Sequence, residues 1–99
     1  MYVVYLIQNS DDKSIYIGKT NNLIKRLEQH NANQNNSTKR IKGEWILIYA
    51  ELYKDKKDAD IREKKLKAHG SGKHELYKRL RNSLLQKSKL GLNSGSPKP

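Results

Sequence analysis

An α/β domain, a three-stranded antiparallel-type sheet flanked by helices, is the fold this sequence predicts, and three observations predict it. Residues 2–8, Tyr-Val-Val-Tyr-Leu-Ile-Gln, and residues 44–53, centred on Trp-Ile-Leu-Ile-Tyr, are apolar runs of strand length, rich in residues that pack well on a pleated surface. Between and after them, apolar residues recur at helical spacing. The chain has 99 residues, 34% of them hydrophobic, which allows one small domain with a thin core.

The first run suits a strand covered on both faces, with Tyr2, Val4 and Leu6 pointing one way and Val3, Tyr5 and Ile7 the other. Asn9-Ser10-Asp11-Asp12-Lys13 is rich in turn formers and short enough for a hairpin. A second strand over residues 14–19 therefore returns antiparallel and brings Tyr16 beside the strand of Tyr5. Gly18 ends it, where the missing Cβ permits a tight exit or a close backbone approach.

Asn21 or Asn22 then caps a helix over residues 22–32. At about 100° per residue, Leu23, Arg26, Leu27 and His30 share one arc, so two polar side chains lie on the stripe that faces the core. A polar loop, residues 33–43, turns basic at Lys39, Arg40 and Lys42; loops of that length in a compact domain point to function. Residues 44–53 follow as a third strand, buried on both faces and expected in the middle of the structure. Asp55 caps a second helix with Asp58 in its first turn, and Ala59, Arg62, Glu63 and Leu66 share its inward arc. That helix is expected to stop near Gly70-Ser71-Gly72. A third is expected over residues 74–87, with Leu76, Leu80 and Leu84 inward and Lys78, Arg79 and Arg81 outward. Residues 1–90 form the domain on this reading, and 91–99, made of Gly, Ser, Asn, Pro, Lys and Leu, a disordered tail.

Lys and Arg number 21 against 10 Asp and Glu, a net charge of +11 that calls for an anionic partner, nucleic acid first. No stretch approaches the ~18 apolar residues of a membrane span, and the basic residues are scattered rather than set beside an apolar face as on a membrane-surface helix. With no cysteine there is neither a disulfide framework nor a thiolate zinc site. The first residues carry no basic leader or small-residue cleavage site, so a cytoplasmic location is expected.

Tyr5, Tyr16, Lys19, Arg26, His30 and Glu63 make up an inventory for cutting a phosphodiester. That reaction needs an activated water, cations against the charge building on phosphoryl oxygens, and a proton or metal for the leaving oxygen. Glu63 alone can hold one hard divalent ion that completes its shell with waters and substrate oxygens. Blander readings stand beside this one. The tyrosines can be half-buried strand aromatics, Arg26 and His30 can border the core, and Glu63 can pair with Arg62 or a nearby lysine. Lys39, Arg40, Lys42, Lys78, Arg79 and Arg81 are solvated charges or phosphate-tracking groups. His69 and His74 read as cations near helix ends, and Trp45 as a core residue.

Taken in order, these residues resemble the GIY-YIG endonucleases. The second half of the signature is Tyr16-Ile17-Gly18, followed by Lys19 and Thr20; the first half is Val3-Val4-Tyr5, which keeps the tyrosine and lacks the glycine. Arg26, eight residues after Gly18, matches the family arginine, His30 the tyrosine or histidine four residues further on, and Ala59, Glu63 and Lys67 the metal-binding helix. The family's asparagine about a dozen residues past the glutamate has no match; Lys73, His74 and Glu75 stand there. The resemblance covers residues 2–80 and is to small stand-alone members, similar to the nuclease domain of the UvrC subunit of bacterial excision repair.

The resemblance implies a DNA endonuclease with one Mg²⁺ or Mn²⁺ on Glu63, and a role in DNA repair. It implies that Tyr5, helped by His30, takes a proton from the attacking water. A phenol with a pKa of about 10 needs cationic neighbours for that. Tyr16 and Lys19 position water and phosphate, although the division between the two tyrosines stays open, and Arg26 meets transition-state charge. Gly18, Thr20, Lys39, Arg40 and Lys42 are the expected substrate contacts. Without a zinc motif or helix-turn-helix, DNA is expected to be chosen by structure, branched or damaged, or through a DNA-targeting protein partner. A non-catalytic or partner-dependent nucleic-acid-binding module is the alternative.

Overall fold

The first strand, β1 (Tyr2–Asn9), is the centre of the sheet. The computed structural model describes residues 1–32, 42–68 and 70–85. After β1 come β2 (Ile15–Thr20), α1 (Leu23–Asn31), β3 (Trp45–Tyr53), α2 (Lys56–Lys67) and α3 (Ser71–Arg79). The sheet order is β2-β1-β3, with both pairings antiparallel, which agrees with the fold class expected. No helix among the described residues is long and apolar enough to cross a membrane.

The alternation read from β1 holds. Val4 and Leu6 pack with Ile17, Ala59, Leu66, Leu76 and Leu80 under α2 and α3; Val3, Tyr5 and Ile7 pack with Trp45, Tyr16, Leu23 and Leu27 under α1. The expectation that β3 lies in the middle is corrected, because β3 is an edge strand. Only Trp45 of its residues is buried, and Leu52 is 67% exposed. An apolar run reports that a strand meets a core; it does not report how many strands flank it. The hairpin puts β2 on one side of β1, and β3 takes the other.

Turns and caps follow local chemistry. The Asn9 side-chain oxygen accepts from the backbone N–H groups of Asp11 (2.8 Å) and Asp12 (3.3 Å), closing the hairpin turn as an Asx motif. Asn22, rather than Asn21, caps α1 by accepting from the Lys25 N–H, and Asp55 caps α2 through the Lys57 N–H. At the far end of α1, the Asn31 amide bonds both the N–H (2.6 Å) and the carbonyl (3.1 Å) of Trp45. That double contact fixes the end of α1 to the start of β3.

The boundary between α2 and α3 differs from expectation. Ala68, with extended ψ of 155°, ends α2, and Gly70 caps the start of α3 at Ser71. One extended residue is enough to stop a helix, so Gly70, Ser71 and Gly72 open α3 instead of closing α2. The helix then ends at Arg79, short of the expected 87. Leu84 packs on the same core after the helix has ended. Gln8 holds this segment to β1, its side-chain oxygen accepting from the Leu85 N–H at 2.7 Å. His69, Lys39, Arg40 and the expected tail 91–99 lie outside the described residues.

Candidate active site

The site is built where β1, β2 and α1 meet. Antiparallel register sets Tyr5 opposite Gly18 and Ile7 opposite Tyr16, and directly opposed residues share a face. A Cβ on Gly18 would stand 2.5 Å from Tyr5 Oη, 2.7 Å from its Cζ and 3.0 Å from Tyr16 Cε2. Gly18 thus leaves room for the Tyr5 ring to lie across β2. It is not a strand exit, since β2 runs on to Thr20.

His30, in the last turn of α1, is fully buried and meets Tyr5, with Oη to Nε2 at 2.9 Å. The Tyr16 ring lies edge-on to the imidazole at 4.8 Å and 6.2 Å from the Tyr5 ring, while Trp45 backs His30 at 6.3 Å. The predicted helical stripe explains this placement: Leu23 and Leu27 pack on the core and carry His30 in with them.

Burial pushes the Tyr5 hydroxyl well above the ordinary phenol range, and neighbouring Tyr16 adds to it. Arg26 pulls the other way and does not prevail, and Glu63 raises it slightly. The expectation that cations lower this phenol is therefore reversed: desolvation in a thin core outweighs one guanidinium. The same burial, with Arg26 second, depresses the His30 pKa below 6.5, so the ring is neutral at pH 7. With the ring proton on Nδ1, the Tyr5 hydroxyl donates to Nε2.

Arg26 is half-buried one turn before His30 and makes no ion pair among the described residues. Lys19, on β2, is bound by Asp60 of α2, which also holds Lys56 at 3.0 Å. The hydrogen bond to Asp60 raises the Lys19 pKa, so its ammonium is secure. Asp60 was not singled out by sequence reasoning; its position three residues before Glu63 on one helix was the available signal.

Arg62 and Glu63, neighbours on α2, meet different partners. Arg62 donates from Nε and Nη2, each at 2.9 Å, to Glu51 on β3, and the hydroxyls of Tyr49 and Tyr53 complete that carboxylate's shell at 2.7 and 2.5 Å. Burial works against the Glu51 charge, but these donors win and hold its pKa below the usual carboxylate range. Glu63 is half-buried and pairs with Lys67 at 3.1 Å, the lysine and not the arginine of the blander reading. Lys67 Nζ lies 5.7 Å from the centre of the Tyr16 ring, which sets the Glu63 end of α2 against β2.

The structure thus puts Tyr5, Tyr16 and His30 in direct contact, with Arg26 and Glu63 close enough to act on Tyr5. Thr20 is used locally: its hydroxyl accepts from the Asn22 N–H at 3.0 Å and closes the turn into α1. Lys42 is exposed shortly before β3. No group of three or more His, Cys, Asp or Glu side chains suited to a metal occurs among the described residues. A lone carboxylate such as the half-buried Glu63 would suit only a hard ion, Mg²⁺ or Mn²⁺, that keeps several waters and takes substrate oxygens.

A family model for the GIY-YIG catalytic domain matches residues 1–78. A UPF0213 protein of Clostridium perfringens (strain 13 / Type A) is 38% identical over 63 residues, 64% of this chain and 67% of that protein. No solved structure matches the chain.

Proposed function

The chain belongs to the GIY-YIG catalytic domain family, so its activity is of the nuclease type, and from that premise we propose a metal-dependent DNA endonuclease with a one-metal site. The observation that carries the reading is the buried hydrogen bond between Tyr5 Oη and His30 Nε2 at 2.9 Å, flanked by an arginine without an ion pair among the described residues. A phenol joined to a neutral imidazole beside a cation is a proton relay next to a phosphate-sized charge.

Burial keeps Tyr5 protonated at neutral pH, so a free phenolate is not the base. Tyr5 Oη instead accepts a proton from the attacking water while its own proton passes to His30 Nε2. The water oxygen bonds to phosphorus, and the bond from phosphorus to the leaving sugar oxygen breaks. The incoming phosphate sets negative charge against Arg26, weakening the field that helps keep His30 neutral. His30 is thus a stronger base with substrate bound. Arg26 offers its planar fork of donors to the phosphoryl oxygens, Lys19 adds a second cation, and Tyr16 orients His30 and the phosphate. Glu63 would hold Mg²⁺ or Mn²⁺, which when bound supplies Lewis-acid stabilisation of charge on the phosphoryl and leaving oxygens.

Selection of DNA by structure, branched or damaged, completes the proposal, because none of the described elements forms a separate reader of base order. Lys39, Arg40 and Lys42 add sequence-independent phosphate contacts, and a DNA-targeting partner is a further route to specificity. The test is to incubate the protein with flaps, forks, four-way junctions, single strands and plain duplex in Mg²⁺, Mn²⁺ or EDTA. Cleavage of at least one branched substrate is expected with metal and none with EDTA. Absence of cleavage throughout would move the protein to the non-catalytic binding module.

A further inference from the structure

We infer that the cleft between β2, α2 and α3, lined by Ile15, Tyr16, Ile17, Lys67, Lys73 and Tyr77, binds a nucleotide of the DNA strand that flanks the bond to be cut. This rests on the nuclease reading for its direction, since the cleft begins where that site ends. The Tyr16 ring faces His30 at 4.8 Å and has Lys67 Nζ 5.7 Å from its centre, and Lys67 is also 3.1 Å from the Glu63 carboxylate. Two of the cleft's residues are therefore shared with the proposed site.

Its chemistry matches one repeat of a nucleic-acid strand. Two ammonium groups, Lys67 and Lys73, suit a phosphate, and no lining residue is acidic. Lys73 is half-buried and makes no ion pair among the described residues, so its charge is not spent within the fold. The rings of Tyr16 and Tyr77 with the two isoleucines form the apolar remainder, which takes a sugar or base face without regard to base identity. The volume of about 170 Å³ is below the roughly 300–1,000 Å³ of pockets that enclose whole small molecules. One segment of a polymer running through an open cleft fits it better than a free metabolite does.

Binding of labelled single-stranded and duplex DNA, followed by fluorescence anisotropy in EDTA across a salt series, tests this without requiring cleavage. Lys73→Ala should weaken binding about three- to tenfold at low salt and reduce the slope of log K against log salt by about 0.7 to 0.9, one phosphate contact. Lys78→Ala, the same charge change at an exposed position of α3 already facing Glu75 at 3.7 Å, should leave the slope nearly unchanged. An unchanged slope in Lys73→Ala, equal effects of the two lysine changes, or no binding by the parent protein would overturn the cleft assignment. The two readings fail separately. Lys73-dependent binding without cleavage of any substrate leaves the cleft and removes the nuclease, whereas cleavage with parent-like binding by Lys73→Ala does the reverse.

Discussion

The two faces of the sheet come from alternate residues of the same central strand, yet they carry different material. Under α2 and α3 the clustered buried side chains are aliphatic, Val4, Leu6, Ile17, Leu66, Leu76 and Leu80 with Ala59, and one buried polar residue, Gln8, ties the segment after α3 to β1 through Leu85. Under α1 the buried side chains are the aliphatic Val3 and Ile7 together with Tyr5, Trp45 and His30, the last three each with a polar atom, and α1 adds Leu23 and Leu27 as partly buried apolar cover. Aliphatic burial stabilises without geometric demands, while a buried hydroxyl or imidazole must find a partner at the right distance. Most of the aliphatic burial therefore lies on one face, and the buried groups that can exchange a proton, Tyr5 and His30, lie on the other.

Changes that respect this division should separate activity from stability. The largest effect is expected from Glu63→Gln, which keeps the shape and removes the charge that would hold the metal. Cleavage should fall on the order of 10³-fold, with the thermal melting temperature near that of the parent. Equal cleavage by this variant would remove the metal role from Glu63. Next comes Arg26→Ala, expected to cost about 10²- to 10³-fold in kcat with a much smaller change in KM, because its proposed contact tightens in the transition state. A loss confined to KM would move Arg26 to phosphate anchoring.

The same variant carries a pH signature. His30 must be neutral to accept a proton, and burial, with the Arg26 charge second, lowers its pKa from the ordinary imidazole value, so the acidic limb of kcat/KM should lie on the acid side of a free imidazole. Burial, the larger cause of the shift, survives Arg26→Ala, and the Arg26 field does not. The acidic limb of the profile should therefore move to higher pH in the variant, and a limb that stays in place would detach Arg26 from His30. On the other face, Leu76→Ala should lower stability by about 2–5 kcal/mol and leave the turnover of the folded fraction close to the parent's. A selective loss of turnover with an unchanged melting temperature would erase the distinction between the faces.

Much of this division can be read from residue order. The alternation of Val3, Val4, Tyr5, Leu6 and Ile7, the helical stripe of Leu23, Arg26, Leu27 and His30, and the capping choice at Asp55 each depend on local geometry. What could not be read depends on contacts across the fold. The apolar run of β3 looks the same whether one or two strands flank it. Gly18 reads as a tight exit or a close backbone approach until its partner across the strand is known to be Tyr5. The direction of the Tyr5 shift turns on how deeply the ring is buried, which outweighs the charges nearby. Asp60 does not stand out in the sequence, because an acidic residue on an amphipathic helix is ordinary unless its partner, here Lys19, is known.

On the function proposed, Tyr5 and His30 form a proton relay and not merely a buried polar pair. Tyr5→Phe tests it most directly, since the ring and its packing against Gly18 remain and only the hydroxyl goes. Single-turnover cleavage of the preferred DNA, measured beside DNA affinity and thermal melting, should show a loss of about 10²-fold in rate with affinity and melting close to the parent's. A cleavage rate within a few-fold of the parent's would contradict the relay.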